Sequence, residues 1–230
     1  MANVPQEHLR VSDVLTHPTK GQTELYLVRH GQTAGNVNRL FIGATDIPLD
    51  ETGERQALEL GQRFTGIELD DILTSPLQRA RRTAEAIGEV TGHSPIVVPG
   101  LGEMDFGKAE GLSFQQVIEQ FPELRDDLGS IFNLDLTFPG GESRRAFGER
   151  ITTAFLGIIE RYEGRKIAAV AHGGVIGTFY AQLHRNPDPD IARYAVANCS
   201  VGHLVVEPDH TRIELWNDVS HLTEVIEFDS

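Results

Sequence analysis

The chain has 230 residues, 40% of them hydrophobic and 23% charged, a balance that supports one folded core and excludes fibrous or wholly disordered composition. Asp and Glu number 34 against 20 Lys and Arg, a net charge of −14. That sign repels nucleic-acid phosphates and anionic lipid, so neither nucleic acid nor membrane is expected as a partner, and an anionic substrate needs a locally basic pocket. The lone Cys199 can form no intrachain disulfide. With a polar start that lacks an apolar h-region, and no apolar run near bilayer length, the expected location is cytoplasmic.

In chain order, residues 1–22 carry the breakers Pro5, Pro18 and Gly21 and read as a flexible arm. Glu24 to Val28 is an apolar run of strand formers ending at Arg29-His30-Gly31. Ala57, Leu58, Leu60, Gly61 and Phe64 share helical spacing and predict a helix over about 53–65. Asp71 to Ser75 is a second strand, and Ser75-Pro76 reads as N-cap and first helical position of a helix reaching Val90. A third strand is expected at 96–98. The stretch of about 104–140 is less regular, with a helix near 113–121, and reads as a small cap over the sheet edge. A long helix over 142–163, a buried strand at 167–171 ending in His172-Gly173-Gly174, and strands near 199–206 and 212–217 complete the series. Helices alternating with strands predict a three-layer α/β/α sandwich with a mostly parallel central sheet.

Two apolar strands end alike, each delivering a histidine and then a glycine to the carboxyl edge of the sheet: Val28-Arg29-His30-Gly31 and Val170-Ala171-His172-Gly173. That edge is where open α/β sheets bind ligands, and a helix beginning there offers free N–H groups to an anion. Arg79, Arg81 and Arg82 sit in the first turns of their helix, where the macrodipole disfavours cations. Glu85 is within i+3 or i+4 of Arg82 and Arg81, whereas Arg79 has no such partner. A bound anion would compensate Arg79, and Arg29 could reach the same anion. Between Leu101 and Gly111, Asp105 and Glu110 fit either a solvated loop or a site. Glu103, first after the third strand, is best placed as a general acid, a role that requires burial to raise its pKa.

Leu27 to Asn36, Thr74 to Ala84, Leu101 to Gly111, Gly141-Glu142-Ser143 and Ala171 to Gly174 resemble, in that order, the motifs of the histidine phosphatase (phosphoglycerate mutase-like) superfamily. The resemblance runs from about residue 24 to 217 and makes 23–230 a single domain of that kind. It implies that His30 is phosphorylated on its ring, that Arg29, Arg79 and His172 hold the phosphoryl group, and that Glu103 protonates the leaving group and then activates water. Asn36, Thr33 and Gly173 match positions near the phosphate. No metal and no other cofactor is implied. Cofactor-dependent mutases of the superfamily usually carry a longer insertion where this chain has only 104–140, so the resemblance favours net hydrolysis of small-molecule phosphomonoesters. A mutase-type phosphotransferase and a non-catalytic phospholigand-binding scaffold are the alternatives. Many relatives are dimers, so a homodimer is compatible with the resemblance.

Other residues have plainer expectations. Arg144 and Arg145 have Glu142 and Glu149 nearby and read as surface ion pairs. Cys199 reads as a small buried hydrophobe, His203 as a core or surface residue, and the remaining histidines show no metal-ligand spacing.

Overall fold

The computed structural model describes residues 21–130, 133–184, 188, 190–207 and 210–224; most of the expected N-terminal arm lies outside them. Six strands form one sheet: β1 (Thr23–Arg29), β2 (Asp71–Thr74), β3 (Ile96–Val97), β4 (Lys166–Ala171), β5 (Val201–Val206) and β6 (Thr211–Asp218). Their order is β3-β2-β4-β1-β5-β6. The first four run parallel, and β5 is antiparallel to both of its neighbours.

The helices are α1 (Ala34–Val37), α2 (Glu51–Arg63), α3 (Gln78–Thr91), α4 (Phe114–Gln120), α5 (Arg144–Arg161) and α6 (Gly173–Leu183). Strand alternation assigns them to two faces. Leu25 and Leu27 of β1 join Leu73, Ile167 and Ala169 in a core with Phe155 of α5 and Phe179 of α6. Tyr26 and Val28 of the same strand join Ile72, Ala168 and Val170 against Leu60 of α2 and Ile87 of α3. This is the expected three-layer arrangement. Both faces are covered because parallel strands need crossover connections, and the crossover helices bury an apolar stripe on each side.

Boundaries agree to within a few residues, with informative exceptions. Asp50 caps α2, accepting from Gly53 N at 2.8 Å. Ser75 is not the N-cap itself: α3 starts at Gln78, its N-cap Leu77 has no capping side chain, and the Ser75 hydroxyl accepts from Leu77 N at 3.2 Å just ahead of the helix. Asp46, from a distant loop, accepts from Gln78 N at 2.7 Å instead, placing a carboxylate at the positive end of the helix. Arg82 pairs with Glu54 at 2.9 Å and with Glu89 at 3.4 Å rather than with Glu85, because α2 packs alongside and offers a closer acid. No ion pair of Arg81 with Glu85 occurs among the described residues.

Residues 104–140 contain α4, closed by a Ser113–Gln116 capping box, and two short 3-10 turns. They are tied to the α5 face of the sheet by Leu124, Leu128, Leu136 and Phe138, which enter the same apolar core. Arg144 donates to the carbonyls of Asp127, Leu128 and Ser130, fastening this segment to α5. Arg145 pairs with Asp135 at 2.8 Å. Neither forms an ion pair with Glu142 or Glu149, because both guanidiniums turn back over the preceding loop, although Glu149 still lies close enough to act on the charge of Arg145. No helix among the described residues is long and apolar enough to cross a membrane.

Phe155 and Phe179 stack with ring centroids 3.9 Å apart, joining α5 to α6. Phe155→Ala should lower the unfolding free energy by about 3–5 kcal/mol, read as a shift in the denaturant midpoint with unchanged slope.

Candidate active site

Three adjacent parallel strands, β2, β4 and β1, end side by side and deliver Ser75, His172, and Arg29 with His30 to one edge. Main-chain bonds fix this register: His30 N donates to Ala171 O at 3.0 Å, and Ser75 N to Val170 O at 3.0 Å. The rings of His30 and His172 lie with centroids 5.0 Å apart and planes tilted by 58°. Both are buried, His172 completely.

His30 Nδ1 is 2.7 Å from the carbonyl oxygen of Gly31. A carbonyl only accepts, so Nδ1 carries the proton and Nε2 keeps its lone pair. Burial holds the ring well below its ordinary pKa, and the charges of Arg29 and Arg79 add to that effect. The imidazole is therefore neutral at physiological pH, with its tautomer set. His172 is held low by burial, by His30 and by the same arginines; its Nε2 is 2.7 Å from Ser75 Oγ. Its Nδ1 is buried and makes no hydrogen bond among the described residues.

Arg29 donates to Val196 O at 2.5 Å, and burial lowers its pKa to about 10. Arg79, 1% exposed, donates to Thr45 O at 2.9 Å and Gly43 O at 2.7 Å. Those two carbonyls are placed by a carboxylate. Glu110 accepts from the backbone N–H of Gly43, Ala44 and Phe106 at 3.0 to 3.1 Å and of Thr45 at 3.4 Å. Gly43 is required here because a Cβ would collide with the Met104 carbonyl. Of the two acids left open by the sequence, Glu110 is thus a loop anchor, while Asp105 accepts from Gly107 N in an exposed turn.

Glu103 is half-buried, accepting from Met104 N at 3.0 Å and from Gly174 N, in the first turn of α6, at 2.9 Å. Burial raises its pKa above the ordinary carboxylate range, against those two donors and against Arg79 and Arg29. Gly173 packs its Cα side against the Arg29 guanidinium. Gly174 lies so close to Glu103 that a Cβ would stand 2.5 Å from Oε1.

Thr33 and Asn36 form the capping box of α1. The Thr33 hydroxyl donates to Asn36 Oδ1 at 2.9 Å and accepts from Asn36 N, so Thr33 shapes Asn36 and its hydroxyl is already engaged. Asn198, which the sequence reading passed over, donates to His30 O at 3.0 Å and Asn36 Oδ1 at 3.2 Å. Cys199, with φ of 53°, is buried as expected, and its N–H lies between the carbonyls of Arg29 and His30, at 3.1 and 3.2 Å. Thr83 accepts from Gly31 N at 3.0 Å and donates to Arg79 O, coupling the first motif to α3. The polar pair Asn198 and Ser200 set among apolar residues just ahead of β5 was the available sequence signal for the 196–200 segment. Nothing local pointed to Thr83. His203 stacks on Tyr26, its ring centroid 4.2 Å away, and bonds to Glu24, remote in role from this edge.

Two imidazoles, two guanidiniums and one carboxyl thus line the end of a parallel sheet, an arrangement suited to a tetrahedral oxyanion. The sequence agrees with that class: the model of the histidine phosphatase superfamily (branch 1) matches residues 25–219, and the chain belongs to that family. It is 33% identical over 205 residues to a protein named as the uncharacterized phosphatase PhoE of Bacillus subtilis, covering 89% of this chain and 99% of the relative. It is also 33% identical to a protein of Klebsiella pneumoniae named probable phosphoglycerate mutase GpmB, covering 86% of this chain and 94% of that one. Among solved structures, YhfR of Bacillus stearothermophilus superposes with a TM-score of 0.75 at 30% identity, over 86% of this chain and 98% of that one. A mycobacterial glucosyl-3-phosphoglycerate phosphatase superposes with a TM-score of 0.73 at 27% identity, over 85% and 99%.

Glu110→Gln replaces an all-acceptor group by one whose amide nitrogen faces backbone donors, leaving at least one N–H unsatisfied. The 43–45 loop should shift and carry Arg79 with it. The expected outcome is about tenfold weaker competitive inhibition by inorganic phosphate or vanadate, with the unfolding midpoint lowered by a loss of about 1–3 kcal/mol.

Proposed function

We propose that this protein is a metal-independent phosphatase that hydrolyses small-molecule phosphomonoesters through a phosphohistidine on His30. The observation that carries the reading is the Nδ1 bond from His30 to the Gly31 carbonyl, which leaves Nε2 as the nucleophile. In the first step the Nε2 lone pair forms the N–P bond. The ester P–O bond breaks, its electron pair goes to the leaving oxygen, and Glu103 transfers its carboxyl proton to that oxygen. In the second step the Glu103 carboxylate takes a proton from water while the water oxygen attacks phosphorus. The P–N bond breaks, returning its electron pair to Nε2, so the products are an alcohol and inorganic phosphate and both residues are restored.

Arg29 and Arg79 supply the fixed positive charge that offsets negative charge on the equatorial oxygens, the work a divalent cation does in many phosphotransfer enzymes. His172, the amide nitrogen of Asn36 and the N–H of Gly173 at the start of α6 complete the phosphoryl cradle, with Thr33 acting through Asn36. Burial raises the pKa of Glu103, which favours the protonated form that the first step needs. The mutase reading has the support of the GpmB relative; the hydrolytic one has that of PhoE and of the mycobacterial phosphatase.

His30→Ala should abolish turnover and the acid-labile phosphoenzyme trapped by rapid quench, while parental activity in this variant would refute the mechanism. A panel of phosphomonoesters assayed in EDTA should release phosphate at undiminished rate. Isomerisation of 3-phosphoglycerate outpacing phosphate release would assign the mutase reaction instead.

The pH profile follows from the two directions. His30 must be neutral and its pKa lies well below 6.5, so kcat/KM should not fall through loss of the nucleophile between pH 7 and 6. Glu103 must be protonated and its pKa is raised, so kcat/KM for alkyl phosphates should decline as pH rises past that value. Glu103→Gln should remove this descending limb.

A further inference from the structure

Glu103 is held from two sides. Its carboxyl takes hydrogen bonds from Met104 N and Gly174 N, and its main chain belongs to a glycine-containing turn, Pro99–Leu101 and the residues after it, whose apolar side chains Leu101 and Met104 are buried in the core. The carbonyls beside those two anchors converge on one guanidinium. Arg150, two turns into α5, directs Nη1 to Gly100 O at 3.0 Å and Gly102 O at 2.9 Å, and Nη2 to Glu103 O at 3.4 Å. Its remaining N–H groups meet Glu142, Nε to Oε1 at 3.1 Å and Nη2 to Oε2 at 2.9 Å. All five guanidinium N–H groups therefore have acceptors, three of them carbonyls of the turn that carries the acid. Glu142 is itself fixed to that segment, because its N–H donates to Asp105 O at 2.8 Å. Gly100 seals the contact: a Cβ there would stand 2.7 Å from Ala154 Cβ on α5.

All five Arg150 N–H groups are spent on this bracket, which leaves none to bind phosphate. The planar fork is matched to its five acceptors, which an ammonium group could not reproduce. We propose that Arg150, oriented by Glu142, is a positioning residue for the general acid, and that this bracket sets the enzyme's ability to cleave esters whose leaving oxygen must be protonated. The inference rests on the assignment of Glu103 as that acid. Alkoxide leaving groups need its proton, whereas dinitrophenolate departs as an anion.

The test is pre-steady-state release of the leaving group from an alkyl phosphate and from 2,4-dinitrophenyl phosphate. Arg150→Lys should slow alkyl phosphate cleavage by about a hundredfold while the dinitrophenolate burst stays within about threefold and inhibition by inorganic phosphate is unchanged. Glu142→Gln, which keeps an acceptor for Arg150, should show the same pattern at about tenfold and serves if the lysine variant is poorly folded by circular dichroism. Arg145→Gln, on the exposed Asp135 pair, should match the parent. Equal losses on both substrates, or no loss on either, would overturn the positioning role. Glu103→Gln separates the two layers. If it discriminates between the substrates and the bracket variants do not, only the bracket falls. If it fails to discriminate, the acid assignment falls and the bracket's role with it.

Discussion

The site depends on taking two arginines and two histidines out of water together. Burial disfavours the charged form of the imidazoles, and the repulsion of the neighbouring guanidiniums adds to it, so the imidazoles stay neutral while the guanidiniums, which do not deprotonate in this range, remain as the fixed charge. Backbone carbonyls make that tolerable: Gly43 and Thr45 for Arg79, Val196 for Arg29. A carbonyl satisfies the donor without cancelling the charge, as a carboxylate would. The pocket therefore keeps a positive potential inside a protein of net charge −14, and the potential is directed at whatever anion enters.

Much of the surrounding structure places those carbonyls. The 43–45 loop is folded around Glu110, and the 196–200 segment is tied to Arg29 and His30 through main-chain bonds and Asn198. The third such segment, 99–103, lies under Arg150. Each is irregular backbone whose polar groups would be costly to bury unpaired, and each is held by one side chain able to make several bonds at once. Rigid strand ends carry Arg29 and the two histidines, and these fastened loops provide their charge environment. This division lets the sheet stay regular while the site is specialised.

Helix termini show the same economy of placement. The sequence puts three arginines at the start of α3, which is unfavourable locally, and the fold answers with Asp46 and Glu54 from elsewhere in the chain. The Ser75 hydroxyl, which accepts from Leu77 N just ahead of the helix, meets His172 as well. One hydroxyl thus serves both the local helix entrance and a partner across a gap of 97 residues in sequence.

The strands and long helices were legible because they are written in local periodicity: the alternation of Leu25, Tyr26, Leu27 and Val28 over two faces, or the stripe of Phe147, Ile151, Phe155 and Ile158 on α5. The ends of β1 and β4 were legible too, since an apolar run stopping at His-Gly is a statement about one strand and its edge. From the sequence alone came the sheet class, the arginine and histidine pairs, and Glu103 as a carboxyl beside them. Tertiary structure decided which hydroxyl meets His172, that Glu110 is an anchor while Glu103 is half-buried and perturbed, and which acids the helix-start arginines choose. It also brought Asn198, Thr83 and Arg150 to the site. These are contacts between segments dozens of residues apart, fixed by how two helical layers close on the sheet; no pattern of period two or 3.6 encodes them, because they depend on three-dimensional distance and on the burial that shifts each pKa.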